Sequence, residues 1–384
     1  MQKFIGALIG LLLYLAIAFL SNEKAIAAVK NGSDGGAHDA PAKILGIHRP
    51  FWAPNRIGNY LTNNGQLVSH IPRGGPGMEW PVGSGKTIVF ASGIWLAGMK
   101  DGEIVTAVGE YTSEFQPGTV AGHSTGLAGT PANPEDQRFK VYIINDEDIT
   151  NPAGNPDYLN WPVMDGAPVD ENGKPLLLGT STAWAVFNDF NDTLHTRLFE
   201  TKPMGVEVQM TAWAFDRSDA FGDMMVFKFK FINKSGINIS DAYAAFWTDI
   251  DIGDARDLVG CDTLRSLGYQ YKTQADDQYG ANPPAIGYEL LQGPIVPSPG
   301  DTAIVSGRKV LGFRNLSMTS FDKFVCGGLP EFSCPQTGVR AYNFMQGLNK
   351  IGQSIIDSTT GLATKFWHPR EPAGWIAGTA ISTL

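Results

Sequence analysis

The sequence predicts an all-β protein, mostly antiparallel, built as a β-sandwich-like unit or units with long loops and few short helices. Three observations lead there. Gly (45) and Pro (24) together exceed a sixth of the 384 residues, which suits short strands joined by many turns. No stretch keeps an apolar 3.6-residue period beyond a few turns. One stretch alternates cleanly: in MMVFKFKFIN, Met225, Phe227, Phe229 and Phe231 share one face while Lys228 and Lys230 share the other. That is the pattern of a half-buried antiparallel strand.

Composition narrows the partners. Hydrophobic residues make up 43% of the chain and charged residues 17%, against a usual charged share of about 25%. The formal net charge is −9, with no Lys/Arg cluster. Phosphate neutralisation dominates nucleic-acid affinity, so nucleic acid is a poor partner, and anionic lipid equally so. Divalent cations, glycans and other surface proteins remain.

From the N-terminus, residues 1–28 read as a signal peptide. Lys3 supplies the positive start, Phe4 to Leu20 the apolar run, and Ala25-Ile26-Ala27 a small-x-small cleavage site. Membrane contact is expected only through this segment, and the protein is expected to be secreted or held at the cell surface. Residues 29–43 form a flexible polar leader. An N-terminal β region follows over 44–150. Within it, Asn63-Asn64-Gly65 predicts a hairpin turn between two short apolar runs, and Met99-Lys100-Asp101-Gly102 a second, tight one. Residues 116–135 read as a surface loop and RFKVYIIN as a strand.

Residues 151–182, approached from Asp146, form a long irregular loop whose prolines no central strand tolerates. A second β-sandwich-like region spans 183–384 and carries the acidic loop. In it GVEVQMTAWAF, MMVFKFKFIN and the strand ending at Trp247 follow one another, and Asn233-Lys234-Ser235-Gly236 is expected to turn the second back into the third. Beyond Asp262 the pattern loosens; AYNFMQGLNKIGQSI is the best helical candidate, weakened by Gly347 and Gly352.

The strings RIGNYLTNNGQL, GMEWPVGSGKTIVFASGIWLAG, NPDYLNWPVMDGAPVDENGKPLLLG, VFNDFND, FGDMM, DIDIGDARDLVGCDTLRSLGY and LSMTSF carry a resemblance specific in wording and order. They resemble a group of large exported bacterial proteins of unknown function, of the Bacteroidota/Ignavibacteria type, that usually carry a C-terminal type IX secretion sorting domain. The resemblance covers nearly all of residues 50–370. It implies export, surface attachment and further domains after Leu384, so that this chain would be truncated there. It brings no catalytic residues.

Candidate chemistry centres on Asp249, Asp251, Asp254, Asp257 and Asp262, with Gly253 and Gly260 between them. Carboxylates at such spacing can converge on Ca²⁺, which takes six to eight oxygens. Counted from Asp249, the EF-hand glycine and glutamate positions hold Asp254 and Gly260, so the loop is not an EF-hand. Asn188, Asp189, Asn191 and Asp192 could add oxygens if the fold brings them near. A solvated, turn-forming acidic loop is the plainer account.

Gly83-Ser84-Gly85-Lys86-Thr87 resembles the end of a phosphate loop, but Trp80 stands where the first glycine belongs, and no nucleotide is expected. Gly122-His123-Ser124-Thr125-Gly126 has nucleophile-elbow spacing without a helix to follow. Trp52, Trp80 and Trp161, in Pro-flanked loops, are the tryptophans expected to be exposed and available to sugars. Trp95, Trp184, Trp213 and Trp247 are assigned to the core. The six histidines show no zinc-ligand spacing.

Three cysteines occur. Export favours a bridge between Cys326 and Cys334, contributing about 2–3 kcal/mol, with Cys261 left over; three reduced packing residues are the alternative. The expectation is a structural or binding protein outside the cell, with calcium as candidate stabiliser. The alternative is a secreted glycan hydrolase using carboxylates of the loops 146–180 and 249–262.

Overall fold

The computed structural model describes residues 11–20, 46–69, 75–196, 198–357, 360–367 and 379–383. The cleavage site at Ala25–Ala27 and the leader 29–43 lie outside the described residues. The protein is all-β and antiparallel: two large sheets face one another.

The main strands in chain order are β1 (Leu11–Leu20), β2 (Thr87–Lys100), β3 (Glu103–Val108), β4 (Tyr142–Asn145), β5 (Ser181–Asn188), β6 (Val206–Ala214) and β7 (Met224–Asn233). They continue with β8 (Ile239–Ile250), β9 (Leu258–Asp262), β10 (Leu267–Tyr271), β11 (Ala285–Gln292), β12 (Ser320–Phe324) and β13 (Thr379–Thr383). The first sheet runs β4-β5-β6-β7-β1-β11-β10-β9. The second runs from short strands at Phe51–Trp52, Gly58–Tyr60 and Met78–Glu79 through β2, β8 and β13 to β12, with β3 also paired to β2. Both sheets therefore take strands from the regions 44–150 and 183–384, which interleave. A hairpin of Ile295–Val305 and Arg308–Asn315 pairs only with itself.

The alternation read at Met225–Phe231 sets the core. Met225, Phe227 and Phe229 are fully buried, while Lys230 is exposed and Lys228 half-buried. Across the β6 ladder, Phe227 faces Ala212, Phe229 faces Met210 and Phe231 faces Val208. These side chains meet Ile94 and Leu96 of β2 and Phe246 of β8 in one continuous core. Each fully buried Phe contributes about 1.5–3 kcal/mol. A one-residue slip would bring Lys228 and Lys230 inside, so the register is firmly specified.

The sandwich has coverings on its outer faces as well. Behind the second sheet, Trp95 and Trp247 pack with Phe324, Phe344 and Tyr342, and the helix Gly338–Met345 supplies the last two. Thr337 starts that helix by accepting from the Arg340 N–H. It begins earlier than the sequence suggested and ends before Gly347. Over the outer face of β4 and β5, the irregular segment folds back so that Trp161 packs with Tyr142, Trp184 and Val186.

Two turn expectations had different outcomes. Lys100 pairs with Glu103, and Asp101 and Gly102 take φ of 52° and 79°, the two positive values a two-residue hairpin turn needs. Asn63-Asn64-Gly65 does turn the chain, and the Ser69 N–H donates to the Tyr60 carbonyl across it at 3.0 Å, but the flanking strands ladder elsewhere: Gly58–Tyr60 joins Phe51–Trp52 and Met78–Glu79, while Gln66–Val68 joins β2. The turn is buried and held by polar contacts. Thr62 Oγ donates to Asn64 Oδ1 at 2.6 Å, Asn63 Nδ2 to the Phe139 carbonyl at 2.8 Å, and Gln66 Nε2 to the Glu110 carbonyl at 2.7 Å.

The strand ending at Trp247 also departs from expectation. It does not fold back onto β7, whose free edge is taken by β1. It crosses to the second sheet, between β2 and β13. Its own sequence allows this, because both faces are apolar: Ala244, Phe246 and Ile250 enter the shared core, and Ala245 and Trp247 the outer one.

Two of the three tryptophans expected to be exposed are buried. Trp52 donates its indole N–H to Ser181 Oγ at 3.0 Å, and Trp161 to the Pro168 carbonyl at 2.8 Å. Trp80 is half-buried and donates to Asp223 Oδ1 at 2.8 Å. In each case the fold supplies the indole an acceptor from a distant or folded-back segment. Trp95, Trp184 and Trp247 are core residues as expected, and Trp213 is half-buried.

The candidate acidic rim around Lys272

The acidic loop begins where β8 ends and closes where β10 ends. The β9–β10 hairpin pairs Leu258 with Tyr271, which brings the next residue, Lys272, back beside Asp257. Its ammonium lies 2.7 Å from Asp254 Oδ1, 2.6 Å from Asp276 Oδ2 and 3.9 Å from Asp257 Oδ1. The Lys272 side chain is 4% exposed, so these interactions are screened little by solvent.

The backbone is shaped around this centre. Gly253 has φ +73°, and a Cβ there would stand 2.1 Å from Asp276 Oδ1. Asp276 accepts from the N–H groups of Gln278 and Tyr279 at 2.7 and 2.8 Å. Gln278 then donates to the Gly253 carbonyl at 2.9 Å and accepts from the Thr87 N–H at 2.9 Å, tying the loop to β2. Asp257 accepts from the Ile252 N–H at 3.1 Å.

The five aspartates of the sequence pattern thus divide. Asp254 and Asp257 turn to Lys272, and Asp254 also pairs with Arg256. Asp262 sits in the β9–β10 turn, where it accepts from the Leu264 and Arg265 N–H groups and pairs with the Arg265 side chain. Asp249 lies at the other end of the loop and accepts from the Tyr111 hydroxyl at 2.7 Å. Asp251 is half-buried between these groups.

Environment separates their charges. Burial opposes the ionised form of Asp254, but Arg256 and Lys272 outweigh it and hold this carboxyl well below its ordinary range. Asp251 is pushed up to about 7 by burial and by the neighbouring Asp249 and Asp254. Burial also raises Asp249, against the Tyr111 hydrogen bond, and raises Asp257 well above normal, against Lys272.

A second acidic group lies beyond Asp249, and the sequence did not single it out. Glu110 is pushed up to about 8 by burial and then by Glu114 and Asp249. Glu114 is pushed up to about 7, mainly by burial, with His195 opposing. One Glu114 oxygen accepts from the Val108 N–H at 3.1 Å. His195 Nε2 is 2.8 Å from the Asp189 carbonyl, and Nδ1 is 3.6 Å from Glu114. Burial works against a charged His195, but Asp189 and Glu114 outweigh it. The available signal was the spacing of Glu110, Tyr111 and Glu114 in GEYTSEF, one turn from β3.

Of the other oxygens considered for a metal, Asp192 is exposed and the rest are committed locally. The Asp189 carboxylate accepts from the N–H groups of Met204, Gly205 and Val206 at 2.6–3.0 Å. Asn188 Oδ1 accepts from the Phe190 N–H at 3.2 Å, and Asn191 caps the short helix Asp192–His195. Among the described residues, no group of three or more His, Cys, Asp or Glu is placed to hold a metal ion. Where the Asp254, Asp257 and Asp276 carboxylates converge, the donor set fits the lysine ammonium already there. Calcium at that point would need Lys272 to leave.

The remaining motifs resolve into turns. Gly83–Lys86 lies at the surface ahead of β2, and Ser124 pairs with Leu127 in a tight exposed turn. Cys326 and Cys334 are disulfide-bonded, with Cα atoms 4.8 Å apart. Cys261 lies outside the bridge; its thiol donates to the Trp367 carbonyl at 3.3 Å, and burial pushes it up to about 12. Among the described residues, no helix is long and apolar enough to cross a membrane. Comparison of the chain with family models found no match, and comparison with curated proteins found none either.

Proposed function

We propose that the chain is an exported structural or binding module of the bacterial surface or extracellular space, with no catalytic role. The observation that carries this reading is the closure of the acidic rim on Lys272: three carboxylates face one internal ammonium and hold the loop to β2. Such a rim builds a rigid edge in which Asp254, Asp257 and Asp276 are engaged by an internal cation. Lys3, the apolar run from Phe4 and Ala25-Ile26-Ala27 support export. So does the Cys326–Cys334 bridge, which persists in oxidising compartments. Glycans or other surface proteins are the partners this reading expects.

The test has two parts. Cells expressing the full chain are fractionated, and the exported protein is screened on a glycan array and then in a reducing-sugar release assay. The reading expects extracellular or surface-bound protein, with binding and no turnover; protein retained in the cytoplasm overturns it.

One observation favours a second reading, a secreted glycan hydrolase. Asp251, held up near 7, neighbours Asp254, held far down, and a pair of carboxyls with separated proton affinities is what acid–base hydrolysis of a glycoside uses. Sugar release that disappears in both Asp251→Asn and Asp254→Asn would put this reading first.

A further inference from the structure

The centre of the first sheet is occupied by a segment that export would remove. β1 is Leu11–Leu20, inside the apolar run of the expected signal peptide. It pairs antiparallel with β7 from Leu11↔Phe231 to Ala18↔Met224, and antiparallel with β11 from Tyr14↔Gln292 to Leu20↔Ala285. β7 and β11 therefore run parallel to each other, two strand spacings apart, roughly 9–10 Å.

Without β1, each of these two strands would still have a partner. β7 keeps β6 on its other side, and β11 keeps β10. Both remain fixed to the second sheet: Phe227 and Phe229 are fully buried in the shared core. Tyr288 of β11 lies 4.6 Å from Phe246, centroid to centroid, and shares a 3.0 Å hydrogen bond with Thr248. Closing the gap would drag these aromatic contacts along. An open gap would show two rows of unpaired backbone N–H and C=O groups at the edge of an apolar core, a template for another strand.

We propose that the exported chain carries an acceptor slot between β7 and β11, filled in trans by one extended strand of an exported partner protein. The inference rests on the export reading given above. The slot defines the chemistry of the donor: about ten residues, antiparallel to both neighbours, without proline. Apolar residues belong opposite Phe231, Phe229, Phe227 and Met225, the register positions held here by Leu11, Leu13, Leu15 and Ile17. Main-chain hydrogen bonds give the affinity and the alternate side chains the selectivity. A second processed copy has lost the same strand and cannot donate it.

The test starts from the full chain expressed in an export-competent bacterium, with the N-terminus of the exported protein read by mass spectrometry. The processed protein is titrated with a fluorescent peptide copying residues 11–20 between solubilising lysines. It is titrated in parallel with the same peptide carrying Leu13→Pro, Leu15→Pro and Ile17→Pro. Saturable one-to-one binding of the first peptide is expected, with a melting temperature raised by about 5 °C at hundredfold excess over Kd, and no binding of the second. If the processed chain does not stay soluble alone, both peptides are fused to a carrier and co-expressed, and only the unsubstituted carrier is expected to co-purify. Processed protein that takes both peptides alike, or neither, overturns the slot while leaving export intact. An exported protein that still begins ahead of Leu11 overturns the signal-peptide reading and the slot with it.

Discussion

Two groups of carboxylates lie at either end of the loop that starts at Asp249, and they are solved in opposite ways. Around Lys272, Asp254 is held ionised by cations within hydrogen-bond distance. Around Tyr111, no Lys or Arg among the described residues pairs with Glu110 or Glu114, His195 lies 3.6 Å from Glu114, and burial lifts both carboxyls toward neutral pH. The residue chemistry is the same; the difference is whether the fold returns a lysine within hydrogen-bond distance of the carboxylates. At Lys272 it does, through the register of one hairpin. The lesson is that an acidic run in a sequence does not announce a metal, because a single lysine from the next strand can take the ion's place.

The sharpest way to break this comparison is Lys272→Met. Removing the ammonium leaves Asp254, Asp257 and Asp276 facing one another in a site 4% exposed at the lysine, and a loss of about 3–5 kcal/mol is expected in denaturant unfolding. A loss under about 1 kcal/mol would mean that the carboxylates do not depend on this cation. Gly253→Ala comes next. It places a methyl against Asp276 at a positive φ and should lower stability by about 1–3 kcal/mol, whereas Gly83→Ala, at a φ of +82° with open space around it, should lose less.

Glu110 and Asp254, one from each group, should also give opposite pH slopes. Glu110 is raised from 4.5 to about 8 in the folded protein. Its favourable contribution is complete below about 4.5 and is lost as the pH rises to about 8, by at most about 1.4 kcal/mol per unit. Glu110→Gln should remove that slope and raise stability at pH 8 by about 1–2 kcal/mol. Asp254 is lowered, so its contribution is present above its unfolded value and is lost as the pH falls through its lower folded one. Urea midpoints measured from pH 3 to pH 9 separate the two. The smallest effect is expected from EDTA, which should move the melting temperature by less than about 1 °C; a larger, calcium-reversible drop would restore an ion to the rim and sink the lysine account.

Local pattern carried much of this architecture. The face Met225–Phe231 was readable because one side of the strand is apolar and the other carries two lysines. The turn at Asp101-Gly102 was readable because few residues accept two successive positive φ values. Partner choice was not readable. The strand ending at Trp247 is apolar on both sides, so its pattern suits either sheet, and only its pairing with β2 and β13 places it in the second. Trp161 looked exposed because its neighbours are prolines and aspartates; nothing local says that the segment folds back over Trp184. The aspartates of the rim were legible as a group, but Lys272 was not, since its place depends on a pairing fourteen positions long in sequence, from Leu258 to Tyr271.

The double covering of the first sheet bears on how this molecule can vary. All eight residues from Ser181 to Asn188 are buried, because one side meets the shared core and the other the folded-back segment with Trp161. No position in that strand has a solvent side on which substitutions could accumulate unnoticed. Evolutionary drift, or an engineer's inserted epitope, has room instead just past the tip of the self-paired hairpin, at the exposed Arg308 and Lys309, beside Ser306, which accepts from Lys228 of β7 at 3.1 Å.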